Sequence, residues 1–176
     1  MQIIYADKSY ELDEANSIFL AGPTPRSITV ASWRPEAIFI LKRLGYQGQI
    51  LIPERQDLNY ENLIEQIEWE EYAMDNCGTI VMWMPRDLVT LPGFTSNIEF
   101  GKYYDDNRFV YGRPPNTPHT RYMDHDYRKA EEEDDGIIWR DEIPETLEDL
   151  MSLALENLYA FQGGVEANVA PPEEDS

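Results

Sequence analysis

The sequence predicts a three-layer α/β domain with a mostly parallel sheet, and three observations carry that expectation. Short apolar runs alternate four times with helical stretches of about 10–17 residues. The run Thr79-Ile-Val-Met-Trp-Met84 is apolar throughout, the pattern of a central strand covered on both faces. No apolar run approaches the roughly 20 residues that a membrane span needs.

The elements follow in order. Ser17-Ile-Phe-Leu-Ala-Gly22 reads as a buried strand leaving into a loop at Gly22-Pro23, and residues 2–13 are expected to add an edge strand or hairpin. Ser32 offers a helix N-cap and Pro35 suits a first turn. Ala37, Ile38, Ile40, Leu41 and Leu44 then recur at helical spacing up to the stop at Gly45. Gln49-Ile-Leu-Ile52 is the next strand. From Asn59 to about Asp75, Tyr60, Leu63, Ile64, Ile67 and Met74 mark the face of a helix expected to point inward, its other face being acidic. After the strand closed by Pro85, a loop leads to a helix of about Ser96 to Asp105 and the strand Arg108–Tyr111. The last helix begins near Pro144 or Thr146, turns Leu147, Leu150, Met151, Leu155 and Leu158 inward, and is expected to end before Gly163-Gly164. Residues 112–143 show no clear period and read as a lid or surface loop. Residues 1–164 are expected to form one domain and 165–176 a disordered acidic tail.

The 176 residues carry 14 Lys+Arg against 34 Asp+Glu, a formal net charge of −20. That balance argues against a long nucleic acid as partner, because backbone binding needs bases that neutralise phosphates. The charge is unevenly spread: residues 1–123 hold 17 acids and 11 bases, residues 124–176 hold 17 acids and 3 bases. Cys77 is the only cysteine and His119 and His125 the only histidines, so neither a disulfide framework nor a Cys/His metal site is expected. No membrane association is expected, and a reducing, cytoplasmic setting fits best. The acidic run Glu131–Asp135 reads as solvated.

In open α/β sheets ligands bind beyond the carboxyl ends of the strands. Each predicted strand runs into a loop holding both a proline and an arginine: Gly22-Pro-Thr-Pro-Arg26, Pro53-Glu-Arg55, Pro85-Arg86 and Gly112-Arg-Pro114. Arg34 lies close by at a helix start. Such arginines suit a phosphate or carboxylate, and equally suit helix ends and surface acids. The candidate carboxylate is Glu99, in Leu91-Pro-Gly-Phe-Thr-Ser-Asn-Ile-Glu-Phe-Gly101. With Ser96 as N-cap it falls in the first helical turn, where the dipole favours the ionised form that a nucleophile requires. The same spacing also fits a capping-box glutamate. Trp33, Trp83 and Tyr111 stand near strand ends, where they either stack on a base or fill the core. Asn116 and His119 read as part of a loop completing the pocket.

Ile18-Phe-Leu-Ala-Gly-Pro23, the strand closed by Pro85, and Thr95-Ser-Asn-Ile-Glu-Phe-Gly-Lys-Tyr103 resemble, in order, the motifs of the nucleoside 2-deoxyribosyltransferase superfamily, which includes nucleoside 5′-monophosphate N-glycosidases. Trp33-Arg-Pro-Glu36 and Leu91-Pro-Gly-Phe94 resemble its divergent, transferase-like branch. The resemblance implies a flavodoxin- or Rossmann-like sheet of about five strands and an enzyme that cleaves a nucleoside or nucleotide N-glycosidic bond or transfers 2-deoxyribose. Glu99 would be its nucleophile, Asp75 the acid or base near the nucleobase, and no cofactor or metal would be needed. Gly22, Pro23, Arg26, Trp33, Arg34, Trp83, Thr95 and Ser96 would line the substrate. Subunits of such transferases often complete a neighbour's site, so a homo-oligomer is an expectation. Two departures stand out: Cys77 or Gly78 occupies a position usually held by an aspartate, and Gly93 another. They favour a second reading, a nucleotide-binding module without turnover. An acidic protein that occupies a basic partner is a third.

Overall fold

The computed structural model describes residues 1–25, 27, 29–56, 62–133 and 142–167. Five parallel strands form one sheet in the order β1-β3-β2-β4-β5. They are β1 (Gln2–Tyr5), β2 (Ser17–Ala21), β3 (Gln49–Ile52), β4 (Thr79–Trp83) and β5 (Phe109–Gly112). The α-helices are α1 (Arg34–Arg43), α2 (Leu63–Asn76), α3 (Phe94–Tyr103), α4 (Arg121–Glu133) and α5 (Leu147–Ala167). The three-layer, mostly parallel architecture read from the sequence is the one observed, and β1 is an edge strand paired in parallel with β3.

Alternation along the strands separates two cores. Ile18, Leu20, Ile50, Ile52, Val81, Trp83 and Val110 turn to the face covered by α1 and α5. Phe19, Ala21, Leu51, Ile80, Met82, Phe109 and Tyr111 turn to the face that meets Ala73 and Met74 of α2, Phe100 of α3, and Met123 and Tyr127 of α4. Central strands β2 and β4 are buried at every residue, which is why their sequences carry no polar alternation.

The helix ends obey local chemistry. In α1, the Tyr46 and Gly45 amides donate to the Leu41 and Lys42 carbonyls, and Gly45 takes φ +87° as this paired cap requires. Trp33, not Ser32, is the capping residue, although the Ser32 hydroxyl still accepts from the Arg34 amide at 3.2 Å. The inward residues expected of α5 are all buried, but the helix continues through Gly163-Gly164. Its internal hydrogen bonds carry the two glycines, each of which weakens a helix by only about 1 kcal/mol.

The stretch 112–143 is not simply a loop, since 121–133 forms α4. Buried Asp124 anchors it, accepting from Tyr111 Oη at 3.0 Å and from both Arg113 Nε and Nη2 at 2.9 Å. A polar pin in a mostly charged helix left little apolar period to detect. The Glu131–Asp135 run lies partly outside the described residues, as do Arg26 and the last nine residues. Among the described residues no helix is long and apolar enough to cross a membrane.

Candidate active site

Strand order reverses between β2 and β4: the chain moves outward from β2 to β3, then returns past β2 to β4. Loops leaving such neighbours diverge and open a crevice at their carboxyl ends. Gly22 shapes that point. It takes φ +132°, and a Cβ built there would meet the Trp83 carbonyl oxygen at 2.1 Å, so only glycine fits. Pro23 continues onto Gly93, whose built Cβ would meet Pro23 Cγ at 2.8 Å. Gly93 caps α3 in the left-handed region at φ +62°. Gly93 thus lets the Gly22-Pro23 loop and the start of α3 touch.

Glu99 lies on α3, but not where its spacing suggested. The helix starts at Phe94, so Ser96 is its third residue and Glu99 its sixth, in the second turn. A capping box is ruled out, and the N-terminal dipole does not set its charge. Burial beside Glu70 pushes the Glu99 carboxyl up to about 7, with Arg34 and Lys102 pulling the other way. Glu70, on α2, is raised in turn by burial, against hydrogen bonding from Gln66 and the charge of Arg34. Gln66 is 6% exposed and its Nε2 donates to Glu70 Oε1 and to the Pro53 carbonyl, both at 2.6 Å.

Sequence reasoning missed Glu70 and Gln66 because the apolar residues of α2 pointed the wrong way. Leu63, Ile64 and Ile67 are 63%, 70% and 42% exposed, whereas the inward stripe runs Gln66, Glu70, Ala73, Met74 and Cys77. That stripe keeps i, i+3 and i+4 spacing, and it was the available signal: small, polar and acidic residues continuing the line of Ala73 toward the crevice.

Asp75, the expected acid, belongs to the other edge of the sheet. It lies at the end of α2, just ahead of β4, and is about 140° around the helix from Glu70. Its Oδ1 accepts from Tyr103 Oη at 2.7 Å, and its carbonyl accepts from Arg108. Cys77 and Gly78 share that edge, and burial pushes the Cys77 thiol up to about 12. An acid at 77 or 78 would face away from the carboxyl ends of the strands, so their identity says little about the crevice.

The arginines are committed inward. Arg34 is 1% exposed: Nε donates to the Leu20 carbonyl at 3.0 Å, Nη2 to the Gly22 carbonyl at 2.8 Å, and Nη1 to Thr24 Oγ1 at 3.2 Å and Glu54 Oε1 at 2.7 Å. Arg86, 8% exposed, donates to the His119 carbonyl at 2.9 Å and to Asn97 Oδ1. Arg113 holds Asp124, and Arg55 is also engaged. The array of strand-end arginines awaiting a phosphate is therefore not what the described residues form. Trp33 and Trp83 are 8% and 6% exposed within the core under α1, and Tyr111 is buried, so none is a free stacking platform. Trp33 Nε1 donates to the Pro23 carbonyl at 3.2 Å, steadying the loop. Thr95 is exposed and Ser96 is 3% exposed in the first turn of α3. Asn116 and His119 take φ +59° and +57°. A pocket of about 640 Å³ bounded by His119, Arg121, Tyr122 and His125 lies beside α4. Arg86 links the His119 carbonyl to Asn97, which stands about 200° around α3 from Glu99.

An open parallel sheet whose strand order reverses between β2 and β4 places the domain in the doubly wound class, with Glu54, Glu70 and Glu99 gathered around Arg34. Residues 15–116, more than half of the chain, match the family described as nucleoside 2-deoxyribosyltransferase like, and the protein belongs to that family. No curated protein matches the chain.

Proposed function

We propose that the protein breaks the N-glycosidic bond of a nucleoside, with Glu99 as nucleophile and Glu70 as the group that protonates the departing base. The observation that carries this reading is the coupled pair itself: two half-buried glutamates on facing helices, both raised, beside one buried arginine. Titratable groups pushed apart from their ordinary values in a crevice are the usual mark of acid–base and nucleophilic work.

The ionised Glu99 carboxylate attacks C1′ as the C1′–N bond breaks, and that bond's electron pair leaves with the base. Protonated Glu70 supplies the proton the base needs, becoming a carboxylate. The sugar is then esterified to Glu99, with the Gly22-Pro23 loop beside it. A nitrogen of a second base attacks C1′ in transfer, and water does so in hydrolysis, as the C1′–O ester bond breaks and its electron pair returns to Glu99 as the carboxylate. In either case the ionised Glu70 takes up the proton released. Gln66 fixes the Glu70 carboxyl for both steps. The internal commitment of Arg34, Arg86 and Arg113 favours an unphosphorylated nucleoside over its 5′-monophosphate. Exposed Ile64 and Ile67 on α2 and Ile98 on α3 support a homo-oligomer, which sedimentation would reveal.

Deoxynucleosides and their monophosphates, each with and without an acceptor base, test the reading by chromatography of released or exchanged base. Turnover abolished in Glu99→Gln supports it. No turnover of any compound, with thermal stabilisation by one of them, would leave a ligand-binding module instead.

A further inference from the structure

Arg34 is the most completely bonded side chain around the crevice, and its bonds run to three different segments. At the first position of α1, it gathers the carbonyl of Leu20 within β2, and the carbonyl of Gly22 and the hydroxyl of Thr24 from the loop after β2. It also binds Glu54 after β3, and its guanidinium carbon sits 4.8 Å from the centroid of the Trp33 ring. A planar fork is required for this, because a lysine ammonium cannot satisfy four acceptors in one plane. The charge balance is lopsided: one buried guanidinium stands among Glu54, Glu70 and Glu99.

We propose that Arg34 is a positioning residue that holds the Gly22–Thr24 loop against α3 and, as the shared counter-ion of three glutamates, governs how readily Glu99 becomes a carboxylate. Its importance for turnover rests on Glu99 being the nucleophile, whereas its hold on the charge of Glu99 does not. The groups facing Glu99 are Glu70 from α2, Arg34 from α1 with Glu54 behind it, and Lys102 from its own helix. Of those groups, removing the guanidinium leaves Lys102 as the cation that still opposes the Glu99 charge, so Glu99 must hold its proton to higher pH. Neutralising Glu54 frees Arg34 for the other two, so Glu99 must release its proton at lower pH.

The test is an NMR titration of the full chain labelled with ¹³C at the glutamate carboxyl carbons, the Glu99 signal being the one lost in Glu99→Gln. Arg34→Gln is expected to raise the Glu99 midpoint by about one pH unit, a tenfold change in its ionisation constant. Glu54→Gln is expected to lower it by about half a unit. Arg34→Lys is expected to keep the midpoint near that of the parent while amide exchange at Gly22 and Thr24 quickens at least about tenfold, the fork being lost. A midpoint unmoved by both neutralising changes overturns the proposal, as does Arg34→Lys with unchanged exchange. Should Arg34→Gln fail to fold, the direction of the Glu54→Gln shift decides. With an active enzyme, the acid limb of kcat/KM must move with the titration. An inert parent chain that still shows both shifts refutes the catalytic reading alone.

Discussion

The two edges of the sheet hold the same kinds of residue and treat them in opposite ways. At the amino edge Arg108, Asp106 and Asp75, beside β4 and β5, are all partnered. Arg108 binds the Asp106 carboxylate at 2.6 and 3.0 Å and the carbonyls of Asp75 and Cys77, while Asp75 accepts the Tyr103 hydroxyl. At the carboxyl edge one arginine answers three glutamates, and two of those carboxyls are raised. Matched charges fix a structure in place. Unmatched ones, held by a rigid frame, keep a proton that can be passed on, which is why the second edge is the one to probe for chemistry.

The sharpest way to break this contrast is at Glu99. Glu99→Gln keeps the shape of the side chain and removes the proposed nucleophile, so turnover of the deoxynucleoside should fall at least about 10³-fold, read from initial rates. A smaller loss would move the nucleophile elsewhere. The next largest effect separates the edges directly. Glu70→Gln should lower kcat by about 10²-fold, because general acid catalysis supplies factors of that size. Asp75→Asn should leave kcat within about threefold and cost about 1 kcal/mol of stability through the weakened Tyr103 hydrogen bond. If the two variants exchanged these behaviours, the amino edge would be the active one.

Backbone geometry gives the third contrast. Gly22→Ala would force a Cβ against the Trp83 carbonyl at a backbone angle that side chains rarely adopt. A cost of about 3 kcal/mol is expected in chemical denaturation, together with a raised KM, since the Gly22-Pro23 loop must shift.

How far the sequence revealed this arrangement depended on which physical signal a residue left. Strand β3 was legible to the residue, and Leu147, Leu150, Met151, Leu155 and Leu158 were legible as the inward face of α5. Burial of aliphatic side chains is what period and composition record. Glu99 was legible as a residue, through its motif, but not its charge state, because Gly93 starts α3 early and burial outweighs the dipole. Glu70 left no hydrophobic trace. The inward stripe of α2 carries Gln66 and Glu70, while Leu63, Ile64 and Ile67 face outward, so these apolar residues point away from the face that carries Glu70. Arg34 was legible as a residue of the crevice. Its inward commitment was not, because carbonyl oxygens gathered from Leu20 and Gly22 have no sequence signature.

The unbalanced edge also has a stability cost, and pH exposes it. An ordinary glutamate ionises near 4.5, and Glu99 in the folded protein near 7. Between those values the folded protein holds a proton that the unfolded chain has released, so stability falls as pH rises through that window and levels off above it. After discounting for solvent screening at a half-buried group, Glu99 costs on the order of 2 kcal/mol at pH 8 and almost nothing below pH 4.5. Glu99→Gln should therefore melt about 4–8 °C above the parent at pH 8, and the gain should vanish toward pH 4.5. Asp75→Asn should melt below the parent, because it weakens the Tyr103 hydrogen bond. Thermal melts of the three proteins across that range would read the difference directly. A pH-independent gain in Glu99→Gln would mean that Glu99 ionises like a surface residue, and the two edges would then be electrostatically alike.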